Sequence, residues 1–225
     1  MPDLPDLPDL PAPEPQPRLI VFLHGAGTSP QTWQDQVVAM PSQFRAVAPW
    51  LYGLRPGRKD VFDWQAAADD VARTLDLQGA ETASICGVSL GARVALQFAV
   101  SHNDRLDRLV LASPPAPVPW QLRTPRNIVA KLVPRASYAA QNIDKDKVVA
   151  ALKVASAATD LSGVDQITQP TLLLCGSSDG ASIATARRIE GKLPSATVQV
   201  LPQAGHDVNT DAPDAFNQAL FSFLD

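Results

Sequence analysis

Cysteine and histidine are scarce in this 225-residue chain, with two of the first and three of the second. Cys86 and Cys175, each inside an apolar run, are too few for a disulfide framework and point to buried thiols in a reducing compartment. They and His24, His102 and His206 show no ligand spacing, so no metal site is expected. A basic excess is missing too: 19 Lys and Arg against 23 Asp and Glu leave a net charge of -4. That balance argues against a nucleic-acid partner bound through bulk positive charge. No apolar run approaches the ~18 residues of a membrane span, and the N-terminus lacks the basic-then-apolar order of a signal peptide. The chain is therefore expected to be cytoplasmic and to make no membrane contact. Without a dinucleotide fingerprint or a phosphate loop, no cofactor is expected either. None of these features speaks to oligomeric state.

What is present is a globular composition, 45% hydrophobic and 19% charged. At ~150 residues per domain, the length suits one domain with an insertion or two small ones. Residues 1–17 carry seven of the 21 prolines, including three tandem Pro-Asp-Leu triplets. Proline at every third position favours polyproline II over helix or sheet, so this is an extended arm, either passive or a docking peptide.

From Arg18 onward, short apolar runs alternate with helical stretches, the pattern of a parallel sheet with crossover helices. Strands are expected at Leu19–Leu23, Phe44–Pro49, Thr82–Val88, Leu106–Leu111, Thr171–Cys175 and Thr197–Leu201. Asp63–Leu77 places Trp64, Ala68, Val71 and Leu75 on one helical face, closed by Gly79. The last helix, from about Asp211 and Pro213, should pack Phe216, Leu220 and Phe223 on the sheet. About 55 residues, Pro115 to Gln169, separate the fourth and fifth strands, far more than an ordinary crossover. They read as a helical lid insertion with helices near Pro125–Val133 and Asp144–Ala157. The domain plan is thus an arm (1–17), a core (18–114 and 170–225) and a lid (115–169). The lid's first part sets Arg123, Arg126, Lys131, Arg135, Lys145 and Lys147 against Asp144 and Asp146, either as a solvated face or as an anion-attracting surface.

The chemistry is concentrated where the third strand runs into Gly87-Val88-Ser89-Leu90-Gly91 and then a helix. A serine on a sharp strand-to-helix turn sits in strained geometry, and the residues two before and two after it must be tiny. Gly87 and Gly91 meet that demand, and the turn lifts the Ser89 hydroxyl to a helix N-terminus. A hydroxyl needs a base to become nucleophilic. His206, between the last strand and the last helix, reaches the same sheet edge. His102 lies at the far end of the serine's helix, and His24 has a shaping role in His24-Gly25-Ala26-Gly27. A base that becomes cationic needs an orienting carboxylate. Asp179, three residues past a strand-ending glycine, is the candidate, whereas Asp207 is too close in sequence to reach the far nitrogen of His206. The amides of Leu90 and Ala26 are the expected oxyanion donors.

These four motifs, His24-Gly25-Ala26-Gly27, Gly87-Val88-Ser89-Leu90-Gly91, Gly176-Ser177-Ser178-Asp179 and Ala204-Gly205-His206, resemble the α/β-hydrolase superfamily, with its order Ser, Asp, His. The resemblance covers Arg18 to Asp225 apart from the lid. It implies a three-layer α/β-hydrolase fold, with a mostly parallel sheet of about six strands shortened at its N-terminus. It also implies an acyl-enzyme route on a small-molecule ester, thioester or lactone, with Ser89 as nucleophile, His206 as base and Asp179 as its support. Acid is expected to inactivate such an enzyme by protonating His206. Two other functions share these residues. One is a lyase, synthase or carbon-carbon hydrolase acting on an anionic substrate, because Arg93 resembles an arginine of menaquinone-pathway synthases. The other is a non-catalytic binding module. Arg93 and Trp120 are the candidate substrate contacts. After the second strand, Trp50 and Tyr52 either wall a pocket or simply pack.

Overall fold

The computed structural model describes residues 16–115, 133–157 and 162–225. Six strands form one sheet: β1 (Arg18–Leu23), β2 (Phe44–Val47), β3 (Ala83–Val88), β4 (Leu106–Ala112), β5 (Thr171–Gly176) and β6 (Ala196–Leu201). Their order is β2-β1-β3-β4-β5-β6, and every neighbouring pair is parallel. The expected architecture therefore stands, with small differences at strand ends. β2 stops at Val47, short of Pro49, which has no N–H to offer a ladder.

The apolar runs lack alternation because both faces of the sheet are buried. Leu19, Val21 and Leu23 of β1 enter one core, while Ile20 and Phe22 enter the other. Strands β4 and β5 divide in the same way, with Leu109, Leu111 and Leu173 on the first side and Val110, Leu172 and Leu174 on the second. The first core is covered by α2 (Trp64–Leu77), α3 (Leu90–Ser101) and α6 (Gly180–Glu190). The second is covered by Trp33 ahead of α1 (Gln34–Val38), by α7 (Val208–Asp211) and by α8 (Pro213–Leu224). Two helix layers around one sheet account for the residue pattern of a three-layer α/β chain.

The stripe of α8 packs on the second core as expected, through Phe216, Leu220 and Phe223, and is wider than those three. Phe216, Ala219, Leu220 and Leu224 are buried, while Phe223 is half-buried with the Arg108 guanidinium 5.9 Å from its ring centre.

Between β4 and β5 lie α4 (Arg135–Ala139) and α5 (Lys145–Ala157), the latter as expected. The arm up to residue 15 and the expected helix Pro125–Val133, apart from Val133, lie outside the described residues. Val148 and Ala151 of α5 are buried, and Ala151 joins the first core. Among the described residues no helix is long and apolar enough to cross a membrane.

Candidate active site

β1, β3 and β5 all end at one edge of the sheet, and the three turns that follow them meet there. After β3 the chain reverses so tightly that a Cβ on Gly87 would stand 2.3 Å from the Gly91 carbonyl carbon. A Cβ on Gly91 would stand 2.0 Å from the Leu23 carbonyl oxygen. No side chain fits either space, so both glycines are required by the backbone itself. Ser89, between them, takes φ 54° and ψ -113°, a conformation that costs an L-residue free energy and is held by the packed turn around it. Its amide donates to the Ala112 carbonyl at 2.9 Å, tying the turn to the end of β4.

The turn after β5 is locked to the turn after β6, which reaches the same edge. A Cβ on Gly176 would stand 2.2 Å from the Gly205 carbonyl oxygen, so the loop after β6 lies directly on the loop after β5. Ser178 N donates to Ala204 O at 3.0 Å, and Gln203 N donates to Ser177 Oγ at 3.0 Å. Gly205 N donates to Asp211 Oδ2 at 2.8 Å, which fixes the backbone one residue ahead of His206.

This closeness brings together three residues expected from the sequence. His206 Nδ1–H donates to Asp179 Oδ2 at 2.6 Å, and Ser89 Oγ–H donates to His206 Nε2 at 2.9 Å. The carboxylate beside Nδ1 sets the tautomer and leaves the Nε2 lone pair for the serine. Ser89 is buried and Asp179 nearly so, while the His206 side chain remains 41% exposed, open to a molecule arriving from solvent. Asp179 also caps α6: Ser182 N donates to its Oδ1 at 3.1 Å and Ser182 Oγ donates to its Oδ2. Burial alone would raise the Asp179 carboxyl; the hydrogen bonds from Ser182 and His206 outweigh it and hold it below the usual carboxylate range. A hydroxyl bonded to such an imidazole can give up its proton as it attacks a carbonyl carbon.

The turn after β1 flanks the serine, since a Cβ on Gly25 would lie 3.6 Å from Ser89 Cβ. The amides of Ala26 and Leu90 donate to no backbone carbonyl among the described residues, and Leu90 opens α3, where amides have no helical acceptor. His24 is fully buried: its Nδ1–H donates to Gly25 O at 2.9 Å, and Leu51 N–H donates to its Nε2 at 3.1 Å. Burial pushes its pKa down to about 4, outweighing the bond to the Gly25 carbonyl, which favours the charged ring. It shapes the turn as a neutral group. Trp50 stands edge-on to it with ring centres 5.2 Å apart, and Tyr52 packs on the first core.

His102, at the other end of α3, bonds Asp69 Oδ1 at 2.9 Å, away from this edge. Asp207 is exposed at the start of α7, and its side chain makes no capping bond. Arg93 is half-buried, with its guanidinium 5.8 Å from the Trp64 ring centre. Trp120, Arg123, Arg126 and Lys131 lie outside the described residues. The remaining lid cations have protein partners. Arg135 pairs with Asp146, Lys145 donates to Val133 O, and Lys147 donates to Gly53 O and Asp60 O. Burial pushes the Cys175 thiol up to about 12, with the nearby Asp179 charge adding to the effect, so this thiol stays protonated. Among the described residues no three metal-ligating side chains cluster.

Sequence reasoning missed Ser182 and Asp211. Asp-x-x-Ser at a helix start was a readable capping signal for the first. The second reaches across a loop to Gly205 and leaves no local pattern.

The comparisons agree with this architecture. The Alpha/beta hydrolase family profile matches residues 20–219, and the chain belongs to that family. RutD of Caulobacter sp. (strain K31), provisionally named a carbamate hydrolase, is 26% identical over 248 residues, covering 91% of this chain and 90% of its own. The 3-oxoadipate enol-lactonase 1 of Acinetobacter baylyi is 28% identical over 240 residues, covering 91% and 88%. Among solved structures, the enol-lactonase from Burkholderia xenovorans LB400 superposes with a TM-score of 0.81 at 23% identity, covering 94% of this chain and 93% of that one.

Proposed function

We propose that this protein is a serine hydrolase that cleaves a carboxylic ester, thioester or lactone with a small to medium acyl group through an acyl-enzyme. The observation that carries the reading is the continuous run of bonds from Ser89 Oγ through His206 to Asp179. Ser89 Oγ attacks the carbonyl carbon while its proton passes to His206 Nε2, and Asp179 steadies the resulting imidazolium. The amides of Ala26 and Leu90 receive the oxyanion. Collapse breaks the bond to the leaving alcohol or thiol, which takes the proton from Nε2. A water molecule then repeats the sequence on the acyl-enzyme, releasing the acid and returning the proton to Ser89. Relatives named as a carbamate hydrolase and an enol-lactonase fit a carbonyl-directed hydrolysis.

Intact mass after incubation with a fluorophosphonate tests the nucleophile. One adduct is expected on the wild type and none on Ser89→Ala. Turnover of p-nitrophenyl esters should fall at least about a thousandfold in the same variant, the scale seen when a catalytic serine is removed. Ester turnover that survives Ser89→Ala in purified protein would refute the reading. Retained labelling of Ser89 with turnover confined to anionic substrates, and lost in Arg93→Ala, would favour the lyase or synthase alternative.

A further inference from the structure

Tyr138 of α4 stands over the glycine turn that flanks the serine, and no step above uses it. The space a Cβ would fill on Gly27 lies 3.4 Å from Tyr138 Cε1, 3.7 Å from its Oη and 3.8 Å from Val148 Cγ1. Gly27 has φ 81°, a conformation that favours glycine, and the Tyr138 ring borders the space left by its missing side chain. Gly25, two residues earlier, abuts Ser89 in the same manner. Two peptide links span at most about 7.6 Å, so Ser89 and the phenol ring flank neighbouring positions of one short turn.

The ring is held there rather than draped. Gln141 N and Ile143 N both donate to the Tyr138 carbonyl, at 3.0 and 2.9 Å, closing the chain into a tight corner after α4. Arg135, at the start of α4, forms two bonds to Asp146 of α5, at 2.9 and 2.8 Å, which clamps the two helices together. Lys147 commits its ammonium to the carbonyls of Gly53 and Asp60, at 3.3 and 2.7 Å. Val148 and Ala151, buried beneath α5, seat it on the core. The Tyr138 hydroxyl forms no hydrogen bond among the described residues, so packing alone sets the ring's place.

We infer that Tyr138 is a specificity-determining residue: its ring, with Val148, closes the acyl-binding space beside the Gly25–Gly27 turn and restricts the site to short acyl chains. This rests on the ester-hydrolase reading. An acyl group on Ser89 Oγ whose oxygen faces the Ala26 amide lies along this turn, whose Gly27 end carries the Tyr138 ring and Val148.

The test compares wild type, Tyr138→Ala and Tyr138→Phe on p-nitrophenyl esters from acetate to decanoate. Tyr138→Ala should move the kcat/KM optimum about two carbons longer, raising the ratio of long to short ester turnover about tenfold, the worth of two newly buried methylenes. Tyr138→Phe keeps the ring and should keep the wild-type optimum. An unchanged optimum in Tyr138→Ala overturns the inference, as does a shift of equal size in Tyr138→Phe. If the wild type hydrolyses no ester, the hydrolase reading fails and calorimetric titration with straight-chain carboxylic acids decides this inference separately. Tighter binding of longer acids by Tyr138→Ala, absent in Tyr138→Phe, supports it; the same length dependence in all three proteins, or no binding by any of them, overturns it.

Discussion

Asp179 serves two partners at once, as N-cap of α6 and as acceptor for His206 Nδ1. Both of its oxygens are engaged, so the carboxylate cannot rotate without giving up a bond to Ser182 or to His206. Ser182→Ala removes the hydroxyl bond and leaves the amide bond. On the hydrolase reading, we expect kcat for p-nitrophenyl acetate to fall about tenfold, the worth of one hydrogen bond to a charged group, with KM unchanged. A rise in KM at constant kcat would show instead that Ser182 acts on substrate binding. Residue roles differed in how readable they were. Ser89 announced itself through Gly87 and Gly91, whose absent side chains the turn demands, whereas Tyr138 sits between the two helices expected in the insertion, where no pattern singles it out.

Helix boundaries show what local chemistry can settle. Asp63 accepts from Ala66 N at 2.9 Å and opens α2. At the other end, Ala80 N donates to Leu75 O and Gly79 N to Asp76 O, both at 3.0 Å, with Gly79 at φ 62°. That is a Schellman closure, visible beforehand as a glycine after an amphipathic run. Asp63 is exposed, so Asp63→Ala should cost only the cap, about 1 kcal/mol, read as a lower urea midpoint with an unchanged m-value. A loss near zero would mean that packing of Val71 and Leu75 alone sets the helix start. By contrast, α6 was not among the helices expected from the sequence. Its apolar positions, Ile183, Ala186 and Ile189, are few, and its first residues read as part of the Gly-Ser-Ser-Asp loop.

For the whole molecule, the buried neutral His24 links folding to pH. Its folded pKa of about 4 lies below the 6.5 of an unfolded histidine, so between those values the unfolded chain binds more protons. The His24 contribution is therefore fully present above pH 6.5 and is lost as pH falls toward 4. The gap is worth roughly 3 kcal/mol. Thermal unfolding should accordingly show a Tm that declines from pH 7 to pH 4. His24→Asn, which can keep a donor and an acceptor in place, should flatten that decline. An equally steep decline in the variant would assign it to other groups.

The sequence by itself determined the layered architecture, the order of its six strands along the chain, and the three turns that carry Ser89, Asp179 and His206. These follow from local rules: apolar runs buried on both faces, small residues where backbone meets backbone, and caps at helix ends. Only the tertiary structure decided which turn touches which. Gly176 admits the Gly205 carbonyl, Asp211 reaches back to Gly205, and α5 seats itself on carbonyls of the loop after β2 to hold Tyr138 over Gly27. Those contacts join residues remote in the chain. Their energies depend on distances that no local pattern encodes, so the nucleophile could be read in advance while the shape of the space around it could not.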